Sequence, residues 1–221
     1  MSYRLCDQVS FCVTGGRAVF LDARRDRYFC LGSAAEFAFR DLLDQEPVGG
    51  KGLDDLIRSG LVEGAEDSGS PIHPVSVSSP SQSLLEQSSV VANLGASAVI
   101  EAACDLVRAR SRLKRRAFAT LLDQLRARRH HLQAAPTSLS GALASLAASY
   151  NAARRMVPVK PVCLPDSLAL LDFLARRQLS ADLVFGVKLN PFAAHCWVQA
   201  GDVALNEASD HVTLYTPILV V

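Results

Sequence analysis

The first sixty residues carry their apolar side chains in short runs. Val9 to Val13, Arg17 to Asp22 and Arg27 to Leu31 are separated by Gly15-Gly16 and by the charged turn Ala23-Arg24-Arg25-Asp26. Apolar, β-branched and aromatic runs bounded by turn residues predict three short antiparallel strands. The period then lengthens. Ser33, with Glu36 at capping-box spacing, opens a helix through Leu43, and a second short helix fits Leu53 to Ser59 with Gly60 as its stop. The predicted order is βββαα. A domain that small builds a limited core, and winged-helix folds of this size serve as binding modules.

From Glu66 to Ser83 the chain reads EDSGSPIHPVSVSSPSQS, rich in Ser and Pro and without period, as a linker does. The expected division is a first domain at 1-70, a linker at 71-83 and a second domain at 84-221. Ser83 and Glu86 make another capping box. The helix expected after it is apolar except at Asn93, Ser97, Glu101 and Asp105, each four residues apart. That narrow polar stripe predicts a largely buried helix, and its two carboxylates exclude a membrane span. Ser138 to Met156 predicts another helix, ended by Pro158 and Pro161.

The last third alternates again. A helix opens at Cys163-Leu164-Pro165-Asp166 and runs to Arg177, followed by strands at Leu183 to Lys188, His195 to Gln199 and Val203 to Leu205. The fold class is α+β: a small winged-helix βββαα domain, then a larger mixed domain.

Charge refines this picture. The whole chain has 23 basic and 22 acidic side chains, a net +1 that excludes a general nucleic-acid binder. By segment, residues 1-82 carry 8 basic and 12 acidic groups, 83-133 carry 9 and 4, and 134-221 carry 6 and 6. The basic stretch Arg108 to Arg116, with Arg126, Arg128 and Arg129, reads as a solvated helix face or as a docking surface for an anionic partner. The N-terminus MSYRLCDQVSFCV lacks the apolar core of a secretory signal, so a cytoplasmic protein is expected. Six cysteines lie far apart with no metal-ligand spacing, which argues against a disulfide framework or a zinc site. Gly49-Gly50-Lys51 lacks the upstream glycine of a phosphate-binding loop.

Chemistry enters at Cys163. A thiol at the start of a helix faces the positive end of the helix dipole, which lowers its pKa toward the range where thiolate exists at neutral pH. Pro165 suits that first turn because its missing N-H would have no partner there. His195 stands in the apolar strand PFAAHCWVQ, where an imidazole is costly unless hydrogen-bonded or functional. Past the turn at Ala200-Gly201-Asp202, Asn206 and Glu207 return beside it. A three-residue loop pairs residue 195 with 207, whereas a two-residue loop puts Asn206 on the His195 face; the first is favoured. Cys163, His195 and Glu207 then form a nucleophile, base and orienter of the papain or transglutaminase kind.

These segments carry a resemblance. CLPDSLALLDFL at 163-174, DLVFGVK at 182-188 and PFAAHCWVQAGDVALNE at 191-207 resemble the transglutaminase-like cysteine peptidase of lasso peptide biosynthesis. RAVFLD, RYFCLGS and GLDDLIRSGLVE are similar to the winged-helix, PqqD-like leader-recognition element of those bacterial systems. The resemblance implies a papain/transglutaminase-like peptidase domain with Cys163 as nucleophile, His195 as base and Glu207 where the family carries Asp. Cys196 stands where the family carries Ala, and strand alternation turns it away from the His195 face, as a packing residue. The implied partners are a lasso precursor with Thr near the end of its leader and an asparagine-synthetase-like macrolactam cyclase, which would carry any ATP dependence. No cofactor is implied in this chain. Leader capture by strand addition would use Arg27, Tyr28, Phe29, Cys30 and Leu31. The rival readings are an acyltransferase with the same triad, and a non-catalytic escort whose basic segment docks a partner enzyme.

Overall fold

The computed structural model describes residues 2-65, 72-86, 95-132 and 140-221. The chain divides into two compact units, Met1–Ser76 and Val77–Val221.

The first unit holds β1 (Ser2–Leu5), β2 (Val9–Thr14), β3 (Arg17–Asp22), β4 (Arg27–Cys30), α1 (Ser33–Leu43), α2 (Lys51–Arg58) and β5 (Val62–Ala65). Strands β2, β3 and β4 form an antiparallel meander in that order, so β4 is an edge. β1 pairs with β5 in a separate two-stranded ladder that sequence reading missed. Neither SYRL nor VEGA alternates clearly, and the pairing joins segments almost sixty residues apart. Phe39 packs edge-to-face on the stacked Phe11 and Phe20 at the centre of the core with Leu56 and Leu61. The capping box expected at Ser33 does not form. Glu36 is instead buried, accepting from the Ala18 backbone N–H at 2.9 Å, and Gly32 is the N-cap. A strand N–H that would otherwise be orphaned in the core outcompetes the helix end for that carboxylate.

The second unit holds β6 (Gln82–Ser83), α3 (Ala96–Arg115), α4 (Phe118–His131), α5 (Gly141–Met156), α6 (Cys163–Ala175), β7 (Asp182–Lys188), β8 (Ala193–Ala200), β9 (Val203–Ala204), α7 (Ser209–Val212) and β10 (Thr216–Val220). The sheet order is β10-β7-β8-β9-β6, antiparallel except for β6 on β9. Ser140 caps α5 by accepting from the Leu143 N–H, two residues after the expected start at Ser138, which lies outside the described residues. Helix α6 buries most of its length, Leu168 to Leu171 and Phe173-Leu174 included, and packs on α3, α5 and β8. Its two acids face arginines: Asp166 pairs with Arg154, and Asp172 takes Arg112 at 2.7 Å and Arg128 at 2.5 Å.

Three expectations are corrected here. Ser83 and Glu86 cap no helix: Ser83 lies in β6, Glu86 in the turn after it, and the helix begins at Ala96. Of the polar stripe, Asn93 lies outside the described residues, while Glu101 and Asp105 point at α6 and pair with Arg176 and Arg177, leaving Ile100 and Val107 on the exposed side. Asp105 is buried and Glu101 half-buried, and cations meet both carboxylates. The basic stretch is a free face only in part, with Lys114 to Arg116 exposed. Arg108, Arg112, Arg128 and Arg129 all pair with acids of their own unit.

From residue 72 on, the stretch read as a linker is not free chain. Ile72 is buried in the core of the first unit. In the second unit, Ser78 donates to the Gly201 carbonyl, Ser81 to the Asp202 carboxylate, and Ser83 to the Glu207 carbonyl at 2.6 Å. No helix among the described residues is long and apolar enough to cross a membrane.

Candidate active site

Cys163 is the first residue of α6, with Val162 as N-cap. The Asp166 carboxylate reaches back to the Val162 N–H at 2.7 Å and pairs with Arg154 of α5, which also donates to the Val159 carbonyl. Two hydrogen-bonded charges thus fix the entry to the helix and the orientation of the cysteine.

His195 and Trp197 share one face of β8, and Gly186 of β7 lies directly across from His195. A Cβ at Gly186 would come within 2.8 Å of Tyr215 and 2.9 Å of Trp197. Glycine there leaves room for the Trp197 ring and the Tyr215 Cβ, and the His195 ring sits 6.3 Å from Trp197, 5.2 Å from Tyr215 and 4.9 Å from His211. The Trp197 indole is held in turn by the Gln199 amide oxygen at 2.9 Å.

The β8–β9 hairpin differs from the expected register. Gln199 pairs with Ala204 and Ala200 with Val203, so Gly201-Asp202 is a two-residue turn, Gly201 having φ 59°. That register was expected to present Asn206 to His195. The ladder, however, opens after one more bond, Leu205 N–H to the Val198 carbonyl. The Leu205 carbonyl is taken by Asn151 of α5 at 2.6 Å, and the Val198 N–H is taken by the Asn206 side chain at 2.7 Å. Asn206 also donates to Ser167 on α6. Its amide stands in for a strand, the main chain leaves the sheet, and Glu207 comes under the imidazole: His195 Nε2 and Glu207 Oε2 are 2.7 Å apart.

Electrostatics follow from these contacts. Cys163 is held down to about 4, first by the Cys196 thiol that donates to it and then by His195, against the opposing effect of burial. For His195, burial works against the charged form, yet hydrogen bonds to Cys163 and Glu207 outweigh it and lift the imidazole to about 9. Burial would also raise Glu207, but His195 and the Ala208 N–H bring it to about 2. The resting arrangement is a thiolate beside an imidazolium on a carboxylate. With Nε2 on Glu207, the other ring nitrogen, Nδ1, serves the sulfur.

Cys196 is no mere packing residue. It lies on the face of β8 opposite His195, as alternation requires, α6 packs on β8, and a hydrogen bond from its thiol is the first cause that holds Cys163 down. Sequence reading also missed His211, 3.3 Å from the second oxygen of Glu207, and Glu86, which accepts from the Ser209 N–H and hydroxyl at the start of α7. None of these has a local signature, because each depends on segments brought together from afar. His195, Glu207 and His211 place their donor atoms within 4.8 Å of one another, a donor set of the type zinc accepts. Arg27 to Leu31 lie in the first unit on edge strand β4 and the residue after it, and belong to no part of this constellation.

A cysteine at a helix start, a histidine on the neighbouring strand and a carboxylate behind the histidine form an arrangement shared by several enzyme families. Residues 103–220, more than half of the chain, match the family profile described as the transglutaminase-like superfamily. The chain belongs to that superfamily. Cys163, His195 and Glu207 all fall within the matched stretch. The chain is also similar to the microcin J25-processing protein McjB of Escherichia coli, at 43% identity over 49 residues, covering 22% of this chain and 24% of that protein. The similarity therefore spans about a quarter of that relative's length. No solved structure matches the chain.

Proposed function

We propose that this transglutaminase-like protein is a cysteine peptidase that removes the leader of a ribosomally made lasso peptide precursor. The observation that carries the reading is the activated pair at the start of α6: a thiolate at Cys163 with a charged His195 held by Glu207. The name of the similar protein, a processing protein of a microcin, supports the substrate class.

In the proposed reaction the Cys163 thiolate attacks the carbonyl of the leader–core bond, and the oxyanion is met by the Cys163 N–H, which in the first turn of α6 lacks an intrahelical acceptor. His195 gives its proton to the departing amine of the core. It then takes a proton from water, which opens the thioester and frees the leader. Glu207 keeps the ring oriented and its charge favourable throughout. The first unit is assigned the capture of the leader, by strand addition to the β4 edge from Arg27 to Leu31. The freed core passes to a macrolactam cyclase of asparagine-synthetase type, where ATP is consumed.

The test is incubation of the full chain with a synthetic precursor bearing the leader, read by mass. The expected products are leader and core, each with the mass of simple hydrolysis, and none from Cys163→Ala. A leader fragment carrying an added amine instead of water identifies an acyltransferase. An intact precursor, with Cys163 nonetheless alkylated rapidly by iodoacetamide, overturns the substrate assignment.

A further inference from the structure

Glu207 has a ring nitrogen on each of its two oxygens. His195 Nε2 lies 2.7 Å from Oε2 and His211 Nδ1 lies 3.3 Å from Oε1, and one donor atom from each of the three residues falls within 4.8 Å of the others. The hydrolytic mechanism uses His195 and Glu207 and leaves His211 without a part. Solvent reaches the cluster from the His211 side, the side chains of His195, Glu207 and His211 being 12%, 25% and 41% exposed. Other contacts hold the three in place. The Ala208 N–H donates to Glu207 Oε1 at 3.1 Å, and the His211 ring meets Tyr215 edge-on at 5.5 Å. Helix α7 is fixed by Glu86 on Ser209 and by the buried Val212.

We propose that His195, Glu207 and His211 bind a zinc ion reversibly, at Nε2 of His195, the ring atom that faces Glu207. Two imidazole nitrogens and one carboxylate are the protein ligands of a tetrahedral zinc site that keeps its fourth position for water. Magnesium and calcium want oxygen ligands and more of them, so the two rings select against both. Two nitrogens on one zinc, at about 2.0–2.1 Å each, lie no more than about 4.2 Å apart. The His211 ring, the most exposed of the three, turns toward Nε2 to meet that limit. On binding, zinc accepts a lone pair from each donor atom, and the proton that Nε2 shares with Glu207 leaves to solvent. No electron is transferred. The site uses no cysteine, so the spacing of the cysteines gives no sign of it. Zinc on Nε2 takes the orienting carboxylate from the base. That occupancy silences a peptidase rests on the proposed function; occupancy itself does not.

The test titrates zinc chloride into the full chain by calorimetry, without precursor and in a buffer that does not chelate. The expected result is a single site, emptied by EDTA. His211→Ala and His211→Gln, the second of which keeps most of the side chain's bulk, should each weaken it at least about tenfold, since even an outer partner of a metal ligand is worth that much. Cys163→Ala should keep the site. Cobalt(II) bound to the wild-type chain should show the visible bands of a four-coordinate ion without a thiolate-to-metal charge-transfer band. Affinity lost in Cys163→Ala but kept in both His211 variants, a thiolate band with cobalt, or no zinc binding at all overturns the proposal. Full cleavage of the precursor with zinc bound removes the silencing, whereas a precursor left uncleaved without zinc strikes the proposed function alone.

Discussion

The Asn206 side chain accepts the Val198 N–H at 2.7 Å, the bond that the next strand residue would have made in a longer hairpin. The sheet thereby ends one residue before the carboxylate that serves His195, and Glu207 is free to turn beneath the ring. Asn206→Ala should leave the Val198 N–H and the Ser167 hydroxyl without their partner. A loss of about 1–3 kcal/mol of unfolding free energy is expected for such orphaned groups, measured by urea titration. Turnover should fall as well, because Glu207 is no longer held in place.

For Glu207 the expectation separates kinetics from binding. Glu207→Ala removes the acceptor of the His195 N–H and should lower kcat at least about tenfold with leader affinity unchanged. Glu207→Asp is one methylene shorter and should recover only part of the rate, since the glutamate spans from His195 to His211 and the Ala208 N–H. His195→Ala should cost about 10²- to 10⁴-fold. Unchanged kcat in Glu207→Ala would remove it from the site.

The pH dependence follows from two opposite shifts. Cys163 is depressed to about 4, so thiolate is lost only as pH falls through that value; His195 is raised to about 9, so the imidazolium is lost as pH rises through it. A flat optimum between these limbs is expected for kcat/KM. Iodoacetamide should modify Cys163 already near pH 5, where Cys6 and Cys12, both pushed upward by burial, stay protonated. Cys196→Ala should move the acid limb upward, since its thiol is the first cause of the depression.

Much of this site was legible in the sequence and part of it was not. Cys163 before Pro165 and His195 in an apolar strand announce themselves locally, through helix-start chemistry and the cost of an imidazole among apolar neighbours. The meander β2–β3–β4 and the helix α6 follow from period alone. Glu207 was reached through a register that the Gly201-Asp202 turn contradicts, because no local pattern reveals that an asparagine side chain will replace a ladder bond. Arg112, Arg128 and Arg129 were not told apart from solvated cations for a related reason: their acids, Asp172 and Asp182, lie far along the chain. Charge composition does not tell a solvated cation from one that meets a distant carboxylate.

Gly186 offers a structural test. Any side chain there collides with Tyr215 and Trp197, so Gly186→Ala should destabilise the second unit by about 1–3 kcal/mol, as overpacking does. Trp197 is the chain's single tryptophan, and its emission should shift as the ring is displaced beside His195. Unaltered emission and stability would mean that Trp197 and Tyr215 do not close over this position.

At the entry to α6, Asp166→Ala should leave the largely buried Arg154 without its counter-charge. The expected cost is about 3–5 kcal/mol in urea unfolding, with slower alkylation of Cys163 as the helix start loosens. Retained stability would show that Arg154 finds its partners in the Val157 and Val159 carbonyls alone.

The segment from Ser78 to Glu86 clasps the hairpin turn, the Glu207 carbonyl and the start of α7. It is synthesised well over a hundred residues before the parts it holds. A ribosome-bound chain that has emerged only through α6 carries Cys163 with neither base nor orienter, and its first clasping serines have nothing yet to grip. The order of residues along the chain therefore assembles the site late: the thiol meets its base and orienter only once the return strand has been made.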